Sequence, residues 1–221
     1  MNIQDRIRQI EKTLFGTWAR LIPVTKTFGP DLIMEAYEAG YRDFGENRVQ
    51  ELLEKKDSLP ADVQWHLIGH LQTNKVKYIA GFIHLIQSVD SVKLLEEIQK
   101  QAAKAGRKIK VLLQVHIADE ENKTGWDPQE LRRWFEVGGP AFFPDVDFRG
   151  LMGIATLTSD KDKIRDEFRL LAGLKKEFSE RFTFPNVALE ELSMGMSSDY
   201  SIAVEEGSTM VRMGTAIFGG R

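Results

Sequence analysis

Apolar residues recur along the chain with two periods, and the period switches many times. Near the N-terminus Ile3, Ile7, Ile10 and Leu14 lie three or four positions apart, the spacing of one helical face. After them, compact apolar runs alternate with amphipathic stretches. "ARLIPVTKT" predicts a strand, and "PDLIMEAYEAG" a helix with Pro30 near its start and Gly40 at its end. "YRDFGEN", "VQWHLIGHL", "IHLIQSVD", "KIKVLLQVHIA", "VDFRGLMGIAT" and "NVALEELSMGM" read as further strands, and "STMVRMGTAIFG" as a last strand and its exit. Between them "RVQELLEKKDSL", "TNKVKYIAG", "SVKLLEEIQKQAAKAG", "DPQELRRWFEVG", "DKDKIRDEFRLLAGLKKEFSERF" and "SDYSIAVEEG" read as helices. Asp127 stands as the N-cap of one of these, with Pro128 behind it. "GGPAFFPDVDF", with two prolines, reads as a loop.

Eight strand-like runs thus alternate with helices after one extra N-terminal helix. Strict alternation predicts parallel strands joined by right-handed crossovers. Eight such units in 221 residues predict a (β/α)8 TIM-type barrel, with a doubly wound open sheet as the other arrangement. No linker-like composition divides the chain, so residues 1–221 are expected to form a single domain. Barrel active sites lie at the C-terminal ends of the strands. Lys26, Asn47, His70, Met152 and the segment Ser193 to Ser198 would converge there, although they are far apart in sequence.

Composition narrows the chemistry. A net charge of −3 with no basic tail gives no reason to expect nucleic acid as a partner. No apolar run is long enough to span a bilayer, and the polar N-terminus has no signal-peptide core, so a cytoplasmic protein is expected. With no cysteine there is no disulfide, thiolate metal site or thiol nucleophile. The histidines His66, His70, His84 and His116 show no zinc-site spacing, and no metal is expected.

Barrels often hold phosphate in the loops after strands seven and eight. Here those loops are "SMGMSSD" and "RMGTAIFGG". Gly195 and Gly214 would let backbone N–H groups approach an anion, and Ser197, Ser198 and Thr215 carry hydroxyl donors. The same residues would also serve as plain turn and capping chemistry. Arg212 is a cation within an apolar strand and needs a partner if buried. Either it pairs with Glu190 or Glu191, or it donates to a ligand in the mouth.

The segments "VTKTF", "FGENRVQE", "WHLIGHLQTNK", "LSMGMSSD" and "GSTMVRMGTAIFGGR" resemble the pyridoxal phosphate homeostasis proteins, single-domain relatives of the alanine racemase N-terminal barrel. The resemblance covers nearly the whole chain. It implies that Lys26 forms a Schiff base with pyridoxal 5′-phosphate (PLP). It implies that Ser197, Gly214 and Thr215 hold the phosphate, that Arg212 faces the pyridine nitrogen, and that Asn47 and Met152 line the cofactor. An arginine at the ring nitrogen weakens the ring as an electron sink. The racemases supply a second base, a tyrosine, from a C-terminal domain of a partner subunit. This sequence ends at Arg221 directly after the eighth strand, so that domain is expected to be absent and a monomer is expected. Of the tyrosines only Tyr200 is expected near the mouth, as a packing residue. Arg48 and His116 depart from the family pattern, and Lys123 is a candidate rim cation.

The expected function is therefore a PLP-binding protein of vitamin B6 homeostasis that holds PLP on Lys26 and supplies it to apo-enzymes, without turnover of its own. A low-activity PLP-dependent amino-acid racemase is the second reading. A phosphosugar or Schiff-base lyase barrel using Lys26 directly is the third.

Overall fold

A computed structural model describes residues 2–119 and 124–219 of the chain. The helix α1, Ile3–Leu14, is capped by Asn2, whose side chain accepts the Asp5 N–H at 2.8 Å, and it buries the predicted stripe Ile3, Ile7, Ile10 and Leu14. Then strands and helices alternate as β1 Arg20–Pro23, α2 Pro30–Glu38, β2 Asp43–Glu46, α3 Val49–Lys56, β3 Gln64–Leu67 and α4 Val76–Ile79. They continue as β4 Leu85–Val89, α5 Val92–Ala105, β5 Ile109–Gln114, α6 Pro128–Glu136, β6 Val146–Met152 and α7 Lys161–Arg181. The series closes with β7 Val187–Ser193, α8 Tyr200–Glu205, β8 Met210–Met213 and α9 Thr215–Phe218. Helix boundaries follow local chemistry. Asp127 caps α6 by accepting the N–H groups of Gln129 and Glu130 at 2.8 and 3.0 Å. Gly106 ends α5 at φ 63°, a left-handed conformation that costs glycine nothing.

All strand pairs are parallel, and neighbours in the sheet run β1-β8-β7-β6-β5-β4-β3-β2. The ring closes between β1 and β2 through a parallel bridge, Val24 to Gly45, with the Thr25 N–H donating to the Gly45 carbonyl at 2.9 Å. An order that follows the sequence around a closed ring is a barrel. The open doubly wound sheet would reverse order at a switch point. One local expectation is filled in and one needs correcting. The exit of the last strand is a helical turn, α9, and the predicted loop "GGPAFFPDVDF" contains a 3₁₀ turn, Gly139–Phe142, before β6 begins at Val146.

Two apolar layers result. The larger lies between the strands and the surrounding helices and holds Phe44, Phe135, Phe148, Phe168 and Phe178, all essentially solvent-free. A small separate cluster of Ile22, Leu85, Leu112, Met152 and Met210 fills the barrel interior. With both faces of each strand covered, the strands read as continuous apolar runs and not as alternating ones. No helix among the described residues is long and apolar enough to cross a membrane.

Candidate functional site

Lys26 lies in the turn just beyond β1, and its side chain is exposed. Ile22 belongs to the interior cluster, and further along Val24 and Lys26 line the cavity that opens at the end of β1, the barrel mouth. The next residue, Thr27, has φ 69° and is the one non-glycine with positive φ among the described residues. A β-branched residue in that region stores about 1–3 kcal/mol of strain and needs external support.

That support comes from α3. The Thr27 N–H donates to Glu51 Oε2 at 2.7 Å, and Lys55 Nζ donates to the Thr25 carbonyl at 2.8 Å, so the backbone is pinned on both sides of Lys26. Lys55 is itself buried and pairs with Glu46 Oε1 at 2.6 Å, an oxygen that also accepts the Thr25 hydroxyl at 2.6 Å. Glu46 is solvent-free, its other oxygen Oε2 has no hydrogen-bond partner, and burial pushes its carboxyl above the ordinary range despite Lys55. Burial acts upward on Glu51 too, but the Thr27 N–H and Lys55 outweigh it and hold that carboxyl low.

Around Lys26 opens a cavity of about 540 Å³, lined among others by Asn47, Arg48, Glu51, Gly214 and Thr215. Asn47 reaches it from the end of β2, and its backbone is packed against Gly69. A Cβ on Gly69 would stand 2.3 Å from the Asn47 carbonyl oxygen, which only glycine permits. Thr215 opens α9, and the N–H groups of a first helical turn have no intrahelical carbonyl to donate to. The loop after β7 comes to the same place: Thr215 Oγ1 lies 3.4 Å from Ser197 Oγ. That loop is shaped by Gly195 at φ 93° and by the Met196 N–H donating to Asp199 at 2.6 Å. Lys26, Asn47, Gly214 and Thr215 therefore share one cavity, with Ser197 at hydroxyl contact beside it.

Arg212 and Met152 sit deeper. Met152 is solvent-free in the interior cluster and Arg212 is 4% exposed; neither lines the cavity around Lys26. Arg212 does not pair with Glu190 or Glu191. Those carboxylates are taken by Arg149 and Arg20 on other elements. Instead the guanidinium donates to Ser193 Oγ at 2.6 Å and to the Gly153 carbonyl at 3.0 Å. Burial lowers its pKa to about 10, with Asp199 acting the other way, so it stays cationic at neutral pH.

Other candidates disperse. His70 is exposed and meets Asp90 at 3.2 Å. Tyr200 packs against the outer core, its hydroxyl 3.4 Å from Thr13 on α1. The backbone N–H of His116 donates to the Trp126 carbonyl at 2.9 Å, and Lys123 lies outside the described residues. Sequence reasoning missed the set Asp43, His66 and His84, whose ligand-type atoms come within 4.8 Å of one another inside the N-terminal end of the barrel. No spacing rule finds them, because they belong to three different segments brought together by the sheet. The His66 and His84 rings stack at 5.4 Å, and burial with the neighbouring His66 lowers the His84 pKa to about 4.

The fold and its mouth define a class: a parallel (β/α)8 barrel with a lysine after the first strand and hydroxyl-bearing loops after the last two. The chain belongs to the family described as alanine racemase, N-terminal domain, whose model matches residues 1–221, and within it to the pyridoxal phosphate homeostasis proteins. It is 44% identical over 204 residues to the pyridoxal phosphate homeostasis protein of Aquifex aeolicus, covering 92% of this chain and 87% of that one. The protein of the same name from Homo sapiens is 38% identical over 229 residues, covering 99% and 82%. PipY of Synechococcus elongatus superposes with a TM-score of 0.92 without PLP and 0.88 with PLP bound. Its identity is 39%, and the coverage is 99% of this chain and 100% of PipY.

Proposed function

We propose that this protein binds PLP at the barrel mouth, with Lys26 as the point of covalent attachment, and serves PLP homeostasis by holding the cofactor and supplying it to apo-enzymes. The observation that carries this reading is the one cavity lined by Lys26, Gly214 and Thr215, with the Ser197 hydroxyl 3.4 Å from that of Thr215. The donor set fits the group: one primary amine, two hydroxyls, first-turn N–H groups, and a buried guanidinium below. PLP supplies an aldehyde that condenses reversibly with a primary amine. Lys26 offers that amine on a turn braced by Glu51 and Lys55. Ser197, Gly214 and Thr215 would hold the phosphate. Arg212, cationic and able only to donate, would disfavour a proton on the ring nitrogen. Asn47 lines the same cavity, and Met152 would support the ring from below through the interior cluster. Cytoplasmic location and a monomeric state complete the reading.

The test is the visible spectrum of the protein with PLP, set beside Lys26→Ala. The parent should show a band that borohydride bleaches, with the reduced cofactor mapped to Lys26 by peptide mass; the variant should show neither. A parent without such a band at excess PLP would overturn the proposal. Exchange of the amino-acid α-proton in deuterated water, if it depended on Lys26, would favour the racemase reading.

A further inference from the structure

The interior of the barrel below the mouth is not wholly apolar. From Arg212 a series of short polar contacts crosses it to the opposite face. Arg212 donates to Ser193 Oγ at 2.6 Å, and Ser193 Oγ donates to Gln87 Oε1 at 2.6 Å. Gln87 Nε2 lies 2.9 Å from His66 Nδ1, and His66 Nε2 lies 2.8 Å from Asp43 Oδ1. Arg212, Ser193, Gln87 and His66 are all buried, and four different strands and the start of a fifth contribute: β8, β7, β4, β3 and β2.

The two ends fix the direction of every hydrogen. A guanidinium has no acceptor, so Ser193 must accept from it. The single hydroxyl hydrogen of Ser193 is then free for Gln87 Oε1. The amide must therefore turn its N–H₂ toward His66, so Nδ1 is an acceptor and carries no hydrogen. The remaining ring nitrogen, Nε2, holds the proton and donates it to Asp43. At that far end burial raises the Asp43 carboxyl, but His66, Arg20 and His84 outweigh it and keep it low, so it accepts as a carboxylate. The same amide orientation lets Gln87 Nε2 face the Met210 sulfur at 3.6 Å. The opposite amide orientation would demand an imidazolium at His66 and leave the Ser193 hydrogen without this acceptor.

We infer that His66 and Gln87 are positioning residues for the cofactor site: through Ser193 they hold the Arg212 guanidinium in place by one directed hydrogen-bond chain anchored on Asp43. This rests on the PLP reading for its consequence at the ring, but not for the chain itself. Neither residue approaches the mouth, so each acts on a ligand only through Arg212. Chains of aligned hydrogen bonds also polarise one another, which strengthens the anchor beyond its single links.

The experiment has two arms. In the first, side-chain ¹⁵N NMR of the protein without PLP should show His66 neutral, with the proton on Nε2 and none on Nδ1. A proton on Nδ1 would overturn the directed chain whatever the cofactor does. In the second, Gln87→Leu removes both central links. With PLP, its borohydride-sensitive band should persist, because Lys26 is untouched, but shift in wavelength. PLP should bind about tenfold more weakly, the worth of one lost hydrogen bond. Ser193→Ala breaks the chain at a neighbouring link with little change of volume. It should act in the same direction, and serves if Gln87→Leu does not fold. Unchanged affinity and band position in a folded variant would overturn the inference. A parent that shows no band at all would instead sink the PLP reading, with the NMR arm still deciding the chain.

Discussion

Lys55→Met is the most informative single change outside the cavity, because it tests whether α3 carries the turn that presents Lys26. In the folded protein the Lys55 ammonium is held at 2.6 Å from Glu46 and at 2.8 Å from the Thr25 carbonyl, with its side chain only 9% exposed. Methionine keeps most of the volume and removes the charge. Glu46 is then a solvent-free carboxylate with one oxygen already without a partner. Removing one member of a buried pair costs about 3–5 kcal/mol, mostly from the charge left behind. For a chain of this length that is a fall in Tm of roughly 6–20 °C. Urea unfolding and calorimetry read the loss directly. A second substitution decides its cause: Glu46→Gln in the Lys55→Met background removes the stranded charge and should recover at least half of the deficit, a coupling visible in a double-mutant cycle.

The pH dependence has a definite sign. Burial, the largest influence on Glu46, places its folded pKa above its unfolded one. A raised folded pKa favours the folded state as pH falls. The deficit of Lys55→Met should therefore shrink as pH is lowered through the folded pKa of Glu46. A loss below about 1 kcal/mol, with no suppression by Glu46→Gln, would refute the reasoning, since such a value belongs to exposed pairs.

Two further outcomes follow from the geometry. Gly69→Ala should lower stability by about 1–3 kcal/mol and weaken PLP binding, because its Cβ would stand 2.3 Å from the Asn47 carbonyl and push that backbone out of the cavity wall; unfolding curves and a PLP titration check both. His84, with a folded pKa of about 4 against an ordinary 6.5, takes up its proton later than the unfolded chain does. Stability should thus decline as pH falls from about 6.5 toward about 4, by an amount on the order of 2 kcal/mol after allowing for partial exposure, and His84→Gln should flatten that limb in urea midpoints measured across the range.

Much of this was legible in the chain before any coordinates. The alternation of periods gave the barrel, and the position of Lys26 after the first apolar run placed it at the mouth. The caps were readable because an Asp followed by Pro satisfies helix-start N–H groups locally. What was hidden shares one physical reason. Glu46 and Lys55 are charged residues in segments that elsewhere turn charge outward, and only the docking of α3 on β2 buries them together. Of the two readings open for Arg212, the pairing with Glu190 or Glu191 on β7 fails because side-chain direction depends on sheet register. Register turns Ser193 toward Arg212 and leaves Glu191 to Arg20. Spacing relates His66 only to His70, whereas its partners Asp43 and Gln87 come from neighbouring strands. Interior polar chains are built from residues that look unremarkable one at a time.

The barrel is a ring with a clasp. Strands β5 and β6 are zipped over six residue pairs, whereas two joins are short: β7 pairs with β8 at Ser193 and Met210 alone, and β1 meets β2 at one bridge, Val24 to Gly45. Local opening costs least where the fewest backbone bonds must break. Lys26 is two residues beyond that bridge, so parting it would move the Lys26 amine relative to Gly214 and Thr215. On the proposed attachment at Lys26, the tether and one of the two shortest joins of the ring are neighbours in the chain.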